Sequence, residues 1–174
     1  MMPDNHIIFE TNRLIVRQYI FETDAENFFL LNSDEDVMRY IRATKSREEC
    51  DAFLKKIIET YKINPLMGRW AAHEKTTEKF VGSFAFIPVE GTEDSQLGYA
   101  FLKDNWGKGY ATELMKEGIK HVFNKTSLNE VYGITEPANI ASQKVLVKVG
   151  FTFDKTYYED TRELLSFILR RTTH

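Results

Sequence analysis

The chain has 174 residues, 43% hydrophobic, 13% aromatic and 28% charged, with a formal net charge of −3. That length suits a single domain, residues 1–174, burying roughly 70% of the surface its unfolded chain exposes. The composition excludes disordered and fibrous classes, and the mildly acidic balance lacks the electrostatic footprint of a direct nucleic-acid binder. Cys50 is the only cysteine, so an internal disulfide and a multi-thiolate metal site are excluded. His6, His73, His121 and His174 are scattered without ligand spacing, and no metal is expected. Residues 1–6 carry neither a basic start nor a signal-length apolar run, and no later segment is apolar enough to span a bilayer. These features predict a cytoplasmic protein with no membrane partner.

In chain order, residues 13–17 alternate weakly and read as a short strand. Thr23 or Asp24 then offers an N-cap for a helix through Phe28, Phe29, Leu30 and Leu31. Asp34 or Asp36 opens a further helical turn. Ser46 and Glu49 have capping-box spacing, and Phe53, Leu54, Ile57, Ile58 and Tyr61 follow at helical intervals until Asn64-Pro65 ends the run. Residues 69–73, 80–87 and 96–102 are strand-like and separated by polar turns, which predicts an antiparallel meander. Ala111, Leu114, Met115, Gly118, Ile119 and Val122 then form one helical stripe. Residues 131–135 read as a strand, and Asn139 caps a helix carrying Val145, Leu146 and Val149, with Gly150 at its C′ position. Residues 151–158 and 164–169 close the chain as two strands. This order predicts an α/β (α+β) fold: a mixed, mostly antiparallel sheet of about seven strands flanked by helices.

The run from Trp106 to Glu113 sits where the meander hands over to the amphipathic helix, with Gly107 and Gly109 one residue apart. Glycines there let successive backbone N–H groups converge at the positive end of a helix, which makes an anion site suited to a phosphate or pyrophosphate. A dinucleotide fingerprint would need glycine or alanine where Thr112 stands. A Walker loop would need serine or threonine after Gly-Lys, whereas Gly109 follows Lys108.

These residues resemble the GNAT superfamily of acetyl-coenzyme A dependent N-acetyltransferases, whose phosphate loop has the form Arg/Gln-x-x-Gly-x-Gly/Ala between a strand and a helix. Gly107 and Gly109 match, while Asp104 departs from the Arg or Gln of that pattern. The wording of residues 106–113, the block Glu10-Thr11-Asn12-Arg13-Leu14 and the block from Asn139 and Ser142 to Gly150-Phe151 are similar to the branch of ribosomal-protein alanine and serine N-acetyltransferases. The resemblance covers nearly the whole chain.

It implies acetyl-coenzyme A as cosubstrate, with Gly107, Lys108, Gly109, Tyr110, Ala111 and Thr112 holding the pyrophosphate. The strand edge at Ala100, Phe101 and Leu102 would pair with the pantetheine arm, Asn139 and Ser142 would lie near that arm, and an amide near Leu102 would serve the oxyanion. Plainer readings stand beside these: Lys108 solvated, Trp106 packed, Tyr110 on the helix surface, and Asn139 and Ser142 acting only as helix caps. Many members place a proton-donating tyrosine where this chain has Leu146; the ribosomal-protein branch is similar in lacking it and relies on the serine of the block, which implies Ser142 as the donor.

Acetyl transfer also needs a neutral amine. Glu74, Glu93, Glu136, Glu159 and Glu163 are candidate bases, and the resemblance implies Glu159, which lies just after the sixth predicted strand, in the region where the ribosomal-protein branch supplies an acidic residue near the substrate amine. An α-amine is roughly 10–15% neutral at pH 7, whereas a lysine amine is neutral only about 0.04% of the time. The resemblance implies an acceptor pocket around Phe28, Tyr40, Arg42 and residues 157–162, suited to a protein or peptide N-terminus. A small-molecule amine as acceptor, or a non-catalytic acyl-coenzyme A sensor, would share the cofactor residues. Monomer and homodimer are equally compatible with the sequence.

Overall fold

The computed structural model describes residues 6–173; Met1 to Asn5 and His174 lie outside them. Among the described residues eight strands form one sheet in the order β1-β2-β3-β4-β5-β6-β8-β7. They are β1 Ile7–Glu10, β2 Leu14–Arg17, β3 Gly68–Glu74, β4 Phe80–Pro88, β5 Ser95–Phe101, β6 Glu130–Thr135, β7 Thr152–Glu159 and β8 Arg162–Arg170. The strand beyond the expected seven is β1, four residues long and paired antiparallel to β2. The helices are α1 Phe21–Ser33, α2 Glu35–Met38, α3 Arg47–Ile63, α4 Tyr110–Lys125 and α5 Ile140–Lys148.

Local chemistry explains most boundaries. Ser46 and Glu49 form a reciprocal capping box at the start of α3, and Asp34 caps α2 by accepting from the Asp36 and Val37 amides. The start of α1 departs from expectation: it begins at Phe21, after Ile20, with no side-chain cap on Ile20. Asp24 is buried inside the helix instead. Its carboxylate accepts from the Ile20 amide and from both terminal nitrogens of Arg17, at 2.7–2.8 Å. The acid that resembles a cap thus ties β2 to α1.

Pleat alternation divides the sheet into two working faces. Trp70 of β3 lies directly opposite Phe84 of β4, and both pack toward α4. A Cβ added to Gly118 of α4 would come within 2.4 Å of the Phe84 ring, so only glycine lets this helix approach so closely. Their strand neighbours Arg69 and Ala85 face the other way, toward α1 and α3, where Phe28 packs edge-on against Phe53.

The meander β3-β4-β5 is antiparallel throughout, but β5 meets β6 in parallel through a single residue pair, Gln96 with Tyr132. Strand β5 is otherwise committed to β4, and β6 to β8 along its whole length. The sheet therefore opens into a gap beside residues 98–101.

Candidate active site

A cavity of about 940 Å³ runs through that gap, from the start of α4 to the face covered by α1 and α2. At one end, Gly107 and Gly109 adopt φ of +72° and +79°, the left-handed region that favours glycine. An added Cβ would meet nothing within 4 Å at Gly107 and only the Arg13 guanidinium at Gly109, so the constraint lies in the backbone and not in crowding. Gly109 is the N-cap of α4, and the first intrahelical bond runs from the Glu113 amide to its carbonyl. The amides of Gly109, Tyr110, Ala111 and Thr112 thus have no acceptor in the helix and stand at its positive end. That geometry fits a pyrophosphate.

A latch from the N-terminal hairpin holds the loop. The Glu113 carboxylate accepts from the Thr11 hydroxyl, the Arg13 amide and the Arg13 guanidinium at 2.6–2.7 Å. Burial pushes the Glu113 carboxyl up, but those three hydrogen bonds outweigh it and hold the group below its ordinary value. Arg13 also lies over the Tyr110 ring at 4.5 Å. Tyr110 is not on the helix surface: its side chain is 3% exposed and its hydroxyl donates to Glu74. Only its main chain is offered to a ligand. Lys108 is exposed, reaches Asn105 at 3.4 Å and does not line the cavity. Trp106 is 50% exposed and lines the cavity, while its indole N–H donates to the Phe101 carbonyl.

Just past the end of β5, the Leu102 amide donates to the Val81 carbonyl and is spent on the β4 side. By strand alternation, the amides aimed into the gap belong to Tyr99 and Phe101. The free edge therefore sits one residue nearer the strand's start than residues 100–102.

From α5, Asn139 and Ser142 both line the cavity. Asn139 accepts from the Ser142 amide, so the cap uses the serine's main chain, and its hydroxyl is left to face Tyr99. Burial raises the Tyr99 pKa, with the Ser142 side chain pulling against it, and the phenol stays protonated at neutral pH. Leu146 is buried and cannot be a donor.

Among the candidate bases only Glu159 lines the cavity. Glu74 is bonded by Tyr110 and Thr77, Glu136 is paired with Arg162, and Glu93 and Glu163 are exposed elsewhere. Phe28, Tyr40, Arg42, Tyr157 and Arg162 line the cavity's other end, Phe28 being a core residue as well. Arg162 fixes that wall by donating to Glu136 and to the Tyr40 and Ile41 carbonyls.

The same end holds a pairing that the sequence did not announce, Arg69 beside the expected Arg42. Arg42 and Arg69 both line the cavity, with guanidinium carbons 5.2 and 5.6 Å from the centroid of the Phe53 ring. Burial, and then repulsion by Arg42, pull Arg69 down to about 10; burial also lowers Arg42. Among the described residues neither forms an ion pair. Withdrawing an uncompensated cation from water costs roughly several kcal/mol, whereas a cation–π contact returns only about 0.5–2 kcal/mol. Thr135 Oγ1 and Tyr157 Oη, also on the cavity wall, are buried without a protein partner.

Among the described residues no group of His, Cys, Asp and Glu is placed to hold a metal ion, and no helix is long and apolar enough to cross a membrane.

A glycine-turn anion cradle opening onto a split sheet defines an acyltransferase of the coenzyme A-dependent kind. The acetyltransferase (GNAT) domain model matches residues 13–152, and the chain belongs to that family. It is 27% identical over 147 residues to the uncharacterized N-acetyltransferase YoaA of Bacillus subtilis, covering 83% of this chain and 82% of that one. A GNAT-family acetyltransferase structure from Bacillus anthracis superposes with a TM-score of 0.81 at 22% identity, covering 95% and 98% of the two chains. RimL, a ribosomal L7/L12 alpha-N-protein acetyltransferase solved with coenzyme A, gives 0.79 at 14% identity, covering 94% and 97%. The protein is an acetyl-coenzyme A-dependent N-acyltransferase.

Proposed function

We propose that the chain acetylates the α-amine of a protein or peptide N-terminus in the cytoplasm. The observation that carries this reading is the cavity, which joins the free amides at the start of α4 to a separate polar pocket through the gap beside β5. The amides of residues 107–112 hold the pyrophosphate, and the Tyr99 and Phe101 edge pairs with the pantetheine amides. The acceptor enters from the α1 and α2 side.

In the transfer, the amine nitrogen bonds to the thioester carbonyl carbon as the carbon–sulfur bond breaks. A β5 amide aimed into the gap stabilises the oxyanion. Glu159, directly or through water, takes the proton that the acceptor ammonium must lose before its nitrogen can attack. The Ser142 hydroxyl gives a proton to the departing thiolate and is restored by the proton that the nitrogen sheds as the amide forms, relayed through water. An α-amine, roughly a tenth neutral at pH 7, makes a weak base such as Glu159 sufficient.

A small amine as acceptor is the second reading, favoured by the withdrawn arginines at the pocket's end. Thiol release from acetyl-coenzyme A, measured across peptides and small amines with mass detection of the acetylated product, separates the two. Release with peptide N-termini supports the first reading and release with small amines alone the second. Coenzyme A binding without release on any acceptor would indicate a sensor and overturn both.

A further inference from the structure

We propose that Arg42 and Arg69 form an anion subsite that receives a carboxylate of the acceptor, so that the enzyme selects amines carrying a negative charge. This inference rests on the acetyltransferase reading and narrows its substrate class.

The two guanidinium groups arrive from different parts of the chain, Arg42 after α2 and Arg69 from β3, and converge over one aromatic ring. Lys45 adds a third cation, its ammonium 5.3 Å from the centroid of the same ring. Among the described residues no carboxylate pairs with either arginine: Arg42 is held by the neutral amide oxygen of Asn32, at 2.8 Å, and its Nε is buried without a partner. Half-buried guanidinium groups set side by side without a counter-ion repel one another, an anion between them relieves that repulsion, and the planar guanidinium suits a carboxylate in two-point contact.

The path to the reacting centre is open. Arg69 lies directly opposite Ala85, and Ala85 directly opposite Gly98, so all three occupy one face of the sheet. The two residues between the arginine and the gap are small. A trough two strand spacings wide, roughly 10 Å, thus leads from the free edge of β5 to the Arg69 backbone. An acceptor whose amine lies in the gap can lay its carboxylate on the arginine pair. The carboxylate could belong to a small amine or to an acidic side chain near a peptide N-terminus.

Two measurements test this. In the first, glutarate is titrated calorimetrically into the wild-type protein and into Arg69→Gln and Arg42→Gln, with coenzyme A binding measured alongside. Saturable glutarate binding, weakened about tenfold or more in either variant that folds, with coenzyme A affinity unchanged, is the expected result. No saturable binding to the wild type, or equal binding to all three proteins, overturns the subsite. This arm needs no turnover, so failed coenzyme A binding would count against the proposed function while leaving the subsite to be judged by glutarate.

The second measurement compares acceptors differing only in a carboxylate or its carboxamide. Glutamate against glutamine at the second position of a peptide is one pair, and a small amino acid against its amide is the other. Whichever pair matches the natural source should show KM higher by about tenfold or more for the amide, a gap that closes in Arg69→Gln. A KM indifferent to the carboxylate in both pairs overturns the proposal.

Discussion

Replacing Gly109 by alanine separates the glycine loop's backbone geometry from everything else the residue does. At φ +79° a side chain pays the left-handed penalty, roughly 1–2 kcal/mol. Sterics add little, because the new Cβ would meet only the mobile end of Arg13 at 3.5 Å. The loop relieves the strain by rotating, and rotation turns the amides at the start of α4 away from their common focus. Each charge-assisted hydrogen bond to phosphate contributes about 1.5–3 kcal/mol, so losing one weakens coenzyme A binding by about 10- to 150-fold. Gly91→Ala is the control. Gly91, in the turn between β4 and β5, has φ +75° and open space around its Cβ position, and it does not line the cavity. Both variants should melt about 2–8 °C below the wild type, yet calorimetry should find weakened coenzyme A binding only in Gly109→Ala. Equal coenzyme A affinity in the two variants would refute the phosphate-cradle reasoning.

Ser142→Ala should lower kcat by about a hundredfold with coenzyme A affinity nearly unchanged, since the cap survives through the serine amide; the check is single-turnover kinetics beside calorimetry. Glu159→Gln should lower kcat/KM most at neutral pH and recover above about pH 9, where an α-amine is already neutral; a pH profile parallel to the wild type would remove Glu159 as base. Glu113 is held below its ordinary pKa, so its stabilisation is present above the unfolded value of about 4.3 and is lost as pH falls through the lower folded value. The wild-type melting temperature should therefore fall more steeply with acid than that of Glu113→Gln. Asp24→Asn breaks an ion pair whose side chains are 6% and 1% exposed, and should destabilise by about 3–5 kcal/mol in denaturant titrations.

The local structure at the end of the cavity proposed for the cofactor was readable because its signals are local. Gly107 and Gly109 announce a turn, the stripe from Ala111 to Val122 announces the helix, and Asn139 with Ser142 announces the next cap, each within a few residues. What escaped depends on pairing between distant segments. Thr11 and Arg13 reach Glu113 across about a hundred positions, and nothing in either segment alone marks that latch. Tyr99 shows no helical or turn signature, and only strand register brings it to Ser142. Arg42 read as one of several acceptor residues, but Arg69 sat inside a strand-like run where a charge suggests an exposed face. Asp24 misled for the opposite reason: an acid near a helix start looks like a cap, and only the buried Arg17 shows its other use.

Register is what makes the two ends one site. Because side chains alternate, Trp70, Phe84 and Tyr99 share the face covered by α4, while Arg69, Ala85 and Gly98 share the acceptor face. A one-residue slip of β3 would send Arg69 into the packing beneath α4 and drive Trp70 into the acceptor trough. The contact that forbids the slip is remote from any chemistry: Trp70 is fully buried and stacked on Phe84, and Phe84 fills the space left by the missing side chain of Gly118. Gly118 belongs to the same helix whose first turn presents the free amides proposed to hold the phosphate. That packing therefore sets α4 against the sheet and holds the strand register, and through these both the height of the cradle and the position of the arginine pair. In the proposed reading, specificity for the acceptor and grip on the cosubstrate are therefore coupled through a core contact that touches neither.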